Sequence, residues 1–160
     1  ATSPYAYIGK NAKKKSEKVS SETLPACVID NSLAVDAACS GNPGPMEYRG
    51  VHIASRQEVF HFGPTKGTNN IGEFLAIVHG LALLKQKEFD MPIYSDSVNA
   101  ISWVRQKKCK TKLPRTAETE ELFKLIERAE KWLRENTYTT RILKWETKEW
   151  GEIPADFGRK

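Results

Sequence analysis

The sequence predicts an α/β domain in which helices pack against a mixed sheet, and two observations carry that expectation. Three strand-like segments follow one another between residues 33 and 62 with short connections, which predicts an antiparallel meander. Segments with the 3.6-residue apolar period of helices then alternate with brief β-rich runs. Such an order joins the meander to a parallel half through right-handed crossovers. No internal repeat interrupts it.

Residues 1–24 are polar and Lys/Ser-rich, lack periodicity and read as a disordered basic linker, leaving 25–160 as the folded domain. The first strand is expected at 33–39, followed by a Gly/Pro turn at 40–45. A second strand is expected at 48–55, a short turn at Arg56 and Gln57, and a third strand at 58–62. After a loop at 63–68, Phe74, Leu75, Val78, Leu81 and Ala82 recur at helical spacing, so a helix is predicted over about 70–87. A brief strand at 91–94 ends at Ser95-Asp96-Ser97, and a helix follows through Ala100, Ile101, Trp103 and Val104. Pro114 closes a basic loop. Residues 116–135 return to helical spacing, 139–145 form a β-branched strand, and Pro154 is placed to open a short terminal helix.

With 160 residues the chain fits one domain and a tail. Cys27, Cys39 and Cys109 match neither a zinc pattern nor a disulfide framework, which suits a reducing, intracellular setting. No apolar run reaches the roughly 18 to 20 residues of a membrane span, and no signal-peptide core is present. The expectation is a soluble, cytoplasmic monomer without a membrane partner or a small-molecule cofactor. Most of the net charge of +5 lies in the first 21 residues, where five lysines face Glu17 alone. The other basic concentration is Arg105, Lys107, Lys108, Lys110, Lys112 and Arg115, with no acid among them. It suits a docking surface for phosphates, or a solvated helix end whose cations offset the helix dipole.

The chemistry concentrates in four carboxylates. Asp36 interrupts an apolar strand, where an ionised group is costly unless paired or bound to a metal. Asp96 follows the end of the fourth strand, Glu73 falls in the first turn of the first helix, and Asp156 in the first turn of the last. Strand ends and helix starts converge at one edge of such a sheet. Carboxylates gathered there repel one another unless cations lie between them, and hard cations with oxygen ligands, Mg2+ above all, suit the set. Taken singly, Glu73 completes a capping box with Asn70, Asp96 caps a helix and Asp156 complements a dipole. Asp36 has neither a cap nor a dipole to serve.

The segments VDAACSGNPGP, GTNNIGEFLAI, YSDS and WGEIPADFGRK resemble, in order and spacing, the four motif blocks of ribonuclease H type 1. The resemblance spans about 33–160 and is closest to the bacterial branch whose C-terminus reads WGEIxADxGRK and whose members often carry an N-terminal hybrid-binding domain. It implies a ribonuclease H-like fold with a five-stranded mixed sheet flanked by helices. It also implies a two-metal site of Asp36, Glu73, Asp96 and Asp156 with two Mg2+ ions, Mn2+ being a substitute. The implied reaction is hydrolysis of the RNA strand of an RNA/DNA hybrid duplex, leaving 5′-phosphate and 3′-hydroxyl ends. Asp36 would bridge the ions, Asp156 would help hold the one that activates water, and Glu73 and Asp96 the other.

Many type 1 enzymes carry a histidine before the last aspartate, whereas His52, His61 and His79 all lie far upstream. Glu152 matches the WGE variant and is expected to assist metal exchange or product release; a surface glutamate near a helix start is the alternative. Cys39, Gly41, Asn42, Asn69 and Asn70 resemble RNA-contacting positions. Val98 stands where some relatives have an RNA-contacting glutamine. Thr68, Asn70 and Thr111 resemble a DNA-phosphate pocket, with Lys112 in place of a second hydroxyl and Trp103 set to pack on deoxyribose. Another two-metal nuclease or strand-transferase of the same fold, or a non-catalytic hybrid-binding module, are the competing functions.

Overall fold

The computed structural model describes residues 25–158, so the linker expected at 1–24 lies outside the described residues. The strands are β1 (Leu33–Cys39), β2 (Gly44–His52), β3 (Gln57–Gly67), β4 (Ile93–Ser95) and β5 (Ile142–Lys144). The helices are α1 (Asn69–Lys87), α2 (Val98–Gln106), α3 (Glu120–Glu135) and α4 (Thr147–Trp150). They form one five-stranded sheet in the order β3-β2-β1-β4-β5. The meander pairs are antiparallel, and β1–β4 and β4–β5 are parallel. This is the mixed architecture that the element order predicts.

Alternation along β1 builds two cores. Leu33, Val35 and Ala37 point to one face and join Ile71, Phe74, Ile77 and Leu81 of α1. Ala34 points to the other, with Val51, Ile53, Tyr94, Trp145, Ile153 and Ala155. α1 is buried on almost every side through its first four turns, more than an amphipathic stripe requires. Gly72 permits this, since a Cβ there would lie 2.8 Å from Ala37 Cβ and 2.9 Å from Met46 Sδ. Among the described residues no helix is long and apolar enough to cross a membrane.

Several boundaries differ from the sequence expectation for physical reasons. β3 continues through Gly63 and Pro64, where a loop is expected, because it is an edge strand and a proline there removes no necessary ladder bond. β2 starts at Gly44 and ends at His52, earlier at both ends than expected, with Pro45 beyond the last β1 pair, Cys39–Met46. α3 begins at Glu120, after a turn in which Thr119 Oγ1 donates to Pro114 O at 2.9 Å. β5 is confined to three residues. The terminal helix lies before Pro154, not after it: α4 ends at Trp150, Gly151 follows with a φ of 80°, and residues 154–158 hold a turn and no helix. Asp156 is therefore not in a helix, and its expected service to a helix dipole is removed.

Candidate active site

The short parallel pairing of β1 and β4 creates the site. It consists of Leu33–Ile93 and Ala34–Tyr94, after which the strands separate. Asp36 and Asp96 each lie two residues beyond the last pair, equivalent positions at the mouth of the split. Glu73 approaches from α1. One oxygen from each of these three carboxylates lies within 4.8 Å of the others. Asp36 is fully buried and Glu73 nearly so, while Asp96 is half-buried.

Local capping explains why the three side chains are available. Thr68 caps α1, its Oγ1 accepting from Ile71 N at 3.3 Å. Glu73 sits in the second turn, so the expected capping box with Asn70 does not form. Ser97 rather than Asp96 caps α2, accepting from Ala100 N at 3.0 Å. Burial, then the charges of Asp36 and Asp96, hold the Glu73 carboxyl well above the usual carboxylate range. Among the described residues its buried Oε1 has no hydrogen-bond donor. A crowded, oxygen-only donor set with an orphaned oxygen fits a hard divalent cation.

Asp156 is not among the three clustered carboxylates. It follows α4 on a turn, where its Oδ2 accepts from Gly158 N at 3.0 Å and its amide donates to Ile153 O at 2.8 Å. The turn is tied to the sheet by Arg49, whose Nε donates to Ala155 O at 2.8 Å and Nη2 to Asp156 O at 2.7 Å. Arg49 is the cross-strand partner of Asp36. Sequence reasoning missed it, although pairing the two arms of the first hairpin sets a cation opposite the strand aspartate. Glu152 is exposed, on the same irregular segment.

A second feature is a cavity of about 430 Å³ lined by Asn42, Thr68, Asn70, Trp103, Lys110, Thr111, Lys112 and neighbouring apolar groups. It gathers all five residues expected for the DNA-phosphate pocket. Thr68 serves both cavity and cap, and Thr111 Oγ1 accepts from Leu113 N at 3.2 Å. Trp103 is half-buried, edge-on to Phe74 with ring centroids 6.4 Å apart, so it is both a core residue and a cavity wall. The basic segment is anchored to α3 at both ends. Glu130 accepts from Cys109 N at 2.9 Å and pairs with Lys108 at 3.6 Å, while Arg115 pairs with Glu120 and Glu127 at 2.8 and 2.9 Å.

Residues 30–146 match the RNase H family. The chain belongs to that family. The matched region contains Asp36, Glu73, Asp96 and the whole cavity lining, and it stops before Glu152 and Asp156. Relatives of this RNase H-family chain include the ribonuclease H of Desulforamulus reducens, 37% identical over 92 residues that cover 48% of this chain and 57% of the relative. The ribonuclease H of a Sulfurovum species is 39% identical over 85 residues, covering 47% and 56%. The chain spans about half the length of the curated relatives it matches. A solved ribonuclease H1 isolated from compost is similar at 17% identity, with a TM-score of 0.49, over 73% of this chain and 84% of that one.

Of the residues expected at the RNA strand of this RNase H-family chain, Asn42 and Asn70 line the cavity. Gly41, Asn42, Asn69 and Asn70 are exposed. Cys39 points inward instead: its thiol donates to Gly41 O at 2.8 Å and lies 3.6 and 3.5 Å from Gly44 O and Gly67 O, tying the turn to β3. Gly44 has a steric reason, since a Cβ there would lie 2.1 Å from Ser40 O.

Proposed function

We propose that this chain hydrolyses the RNA strand of RNA/DNA hybrids with divalent cations, Mg2+ by preference and Mn2+ as substitute, leaving 5′-phosphate and 3′-hydroxyl ends. The observation that carries the reading is the Asp36–Glu73–Asp96 cluster in a chain of the RNase H family, with a Thr68–Asn70–Thr111 cavity at the start of the helix that carries Glu73. Relatives bearing the name ribonuclease H support it.

Asp36, Glu73 and Asp96 would hold the cations, and Asp156 would add a further carboxylate. When bound there, divalent cations would supply a water of lowered pKa and offset charge on the departing 3′ oxygen. The fold keeps the carboxylates crowded before a cation arrives, so little reorganisation is needed on binding. Thr68, Asn70 and Thr111 offer hydroxyl and amide donors to a DNA-strand phosphate, while Lys110 and Lys112 add charge and Trp103 packs on a deoxyribose. Backbone groups at Cys39, Gly41 and Asn42, with Asn69 and Asn70, read the 2′-hydroxyl that separates RNA from DNA. Glu152 assists metal exchange or product release. Residues 25–160 form the catalytic domain, working as a cytoplasmic monomer. WGEIPADFGRK supports a place in the bacterial branch often fused to a hybrid-binding domain.

The deciding experiment offers the protein end-labelled RNA/DNA hybrid, RNA duplex and DNA duplex with Mg2+. Endonucleolytic cleavage of the hybrid's RNA strand, abolished by chelation, is expected. Equal cutting of the DNA duplex points to another two-metal nuclease, and binding without cutting to a hybrid-binding module; either overturns the reading.

A further inference from the structure

We propose that Arg49 is a positioning residue that sets the Asp156 segment against the carboxylate cluster, an inference that rests on the ribonuclease reading above. Arg49 and Asp36 are direct partners in the β1–β2 ladder, so their side chains leave the sheet on the same face. From there one guanidinium engages three successive residues. Nε and Nη2 donate to Ala155 O and Asp156 O at 2.8 and 2.7 Å, and the Phe157 ring lies under the cation with its centroid 4.9 Å away. Nη1 faces Glu58 Oε1 at 3.6 Å on β3. The planar fork of arginine suits two parallel bonds to consecutive carbonyls, and lysine has no equivalent.

The segment needs such a tether. α4 ends at Trp150, and among the described residues the backbone bond formed by Asp156 N is local, to Ile153 O. Ile153 and Ala155 anchor it by burial in the second core, and the Trp145 indole fixes its start by donating to Gly151 O at 2.8 Å. Burial fixes depth but not the direction in which Asp156 presents its carboxylate. The Arg49 fork fixes that direction, because it grips the Asp156 peptide itself from the residue opposite Asp36. Glu58 offsets the cation, so the fork's geometry rather than its charge is the active property.

Arg49→Ala and Arg49→Lys test this with two readouts. Hydrogen exchange of the metal-free protein should accelerate about tenfold or more at 153–158 in Arg49→Ala, while α1 and β1 keep their protection. On RNA/DNA hybrid, kcat should fall by about 10- to 100-fold, the scale for partners that orient metal ligands, with KM for the hybrid little changed and more Mg2+ needed for half-activation. Arg49→Lys should recover only part of the loss. Unchanged exchange at 153–158, full recovery by lysine, or an effect confined to KM would each overturn the proposal. If the unsubstituted protein cleaves no hybrid, the ribonuclease reading fails, and the exchange measurement alone still decides whether Arg49 holds the segment.

Discussion

His52 on β2 and Asp36 on β1 are both fully buried polar residues, less than one strand length apart in the same hairpin, yet the fold treats them in opposite ways. His52 is satisfied on both ring nitrogens: Nδ1 meets Ser55 Oγ at 2.8 Å and Nε2 meets Asn31 Oδ1 at 3.1 Å. An amide oxygen only accepts, so Nε2 carries a hydrogen. Burial presses its pKa down to about 4, against a smaller opposing pull from Asp30. Asp36 instead shares its surroundings with Glu73 and Asp96, and burial, then the like charges of these neighbours, raises the Glu73 carboxyl. The difference separates scaffold from candidate site: satisfied buried polarity fixes one fold, whereas crowded buried carboxylates cost stability and suit a cation between them.

The largest expected effect tests the site side of this comparison. Asp36→Asn should reduce hybrid cleavage by about a thousandfold or more, because a charge aimed at the reacting centre is lost. In chelator, its thermal midpoint should rise by a few degrees, since relieving about 1 kcal/mol of repulsion moves the midpoint by about 2–4 °C in a domain of this size. Single-turnover kinetics and calorimetry with EDTA check both. A large fall in the metal-free midpoint would mean that Asp36 is scaffold after all.

His52→Ala should do the reverse. Loss of the buried ring and its two hydrogen bonds should cost about 2–4 kcal/mol in urea unfolding, with kcat per folded molecule unchanged. Should turnover fall along with stability, the separation of the two regions fails.

Acid and base should then pull the two regions apart. His52 has a folded pKa near 4 against about 6.5 unfolded, so below pH 6.5 the unfolded chain takes up a proton that the folded state refuses. Its stabilising contribution is lost as the pH falls from about 6.5 to 4, to an extent on the order of 2–3 kcal/mol. The raised Glu73 carboxyl acts oppositely. The folded state keeps its proton longer, so in chelator stability declines as the pH rises above the ordinary carboxylate value. Urea midpoints across pH 4–8 should show both slopes. His52→Ala should flatten the acidic one, Glu73→Gln the other, and a saturating divalent cation should abolish the second alone.

How much of this was legible in the sequence follows from which interactions are local. The five strands and the order of the helices were readable from periodicity, and Asp36 from being out of place on its strand, whereas Glu73, Asp96 and Asp156 joined it through the family resemblance, and Asp156 is not in the observed cluster. Thr68, Asn70, Trp103, Thr111 and Lys112 came through the family resemblance, and the cavity brings them together. What was not legible depends on tertiary partners. The continuation of β3 through Pro64 requires knowing that β3 is an edge strand. Arg49 acquires its role only from carbonyls more than 100 residues away. Pro154 signals a helix start, but burial of Ile153 and Ala155 holds that segment in a turn.

Glu152 offers the smallest and most discriminating measurement, since it is a candidate carboxylate that shares none of the cluster's burial. It is exposed, as the alternative of a surface glutamate requires, and no helix begins at Pro154. An exposed group has no desolvation cost to recover, so Glu152→Gln should leave the metal-free thermal midpoint within about 1 °C. If Glu152 assists metal exchange or product release, steady-state kcat should fall by up to about tenfold with its Mg2+ dependence altered. The single-turnover rate at saturating Mg2+ should remain nearly unchanged, because a step after bond cleavage appears only under multiple turnover. Unchanged turnover and metal dependence would remove Glu152 from the site, whereas an equal fall in both rates would move it into the bond-breaking step, beside the buried carboxylates from which its exposure separates it.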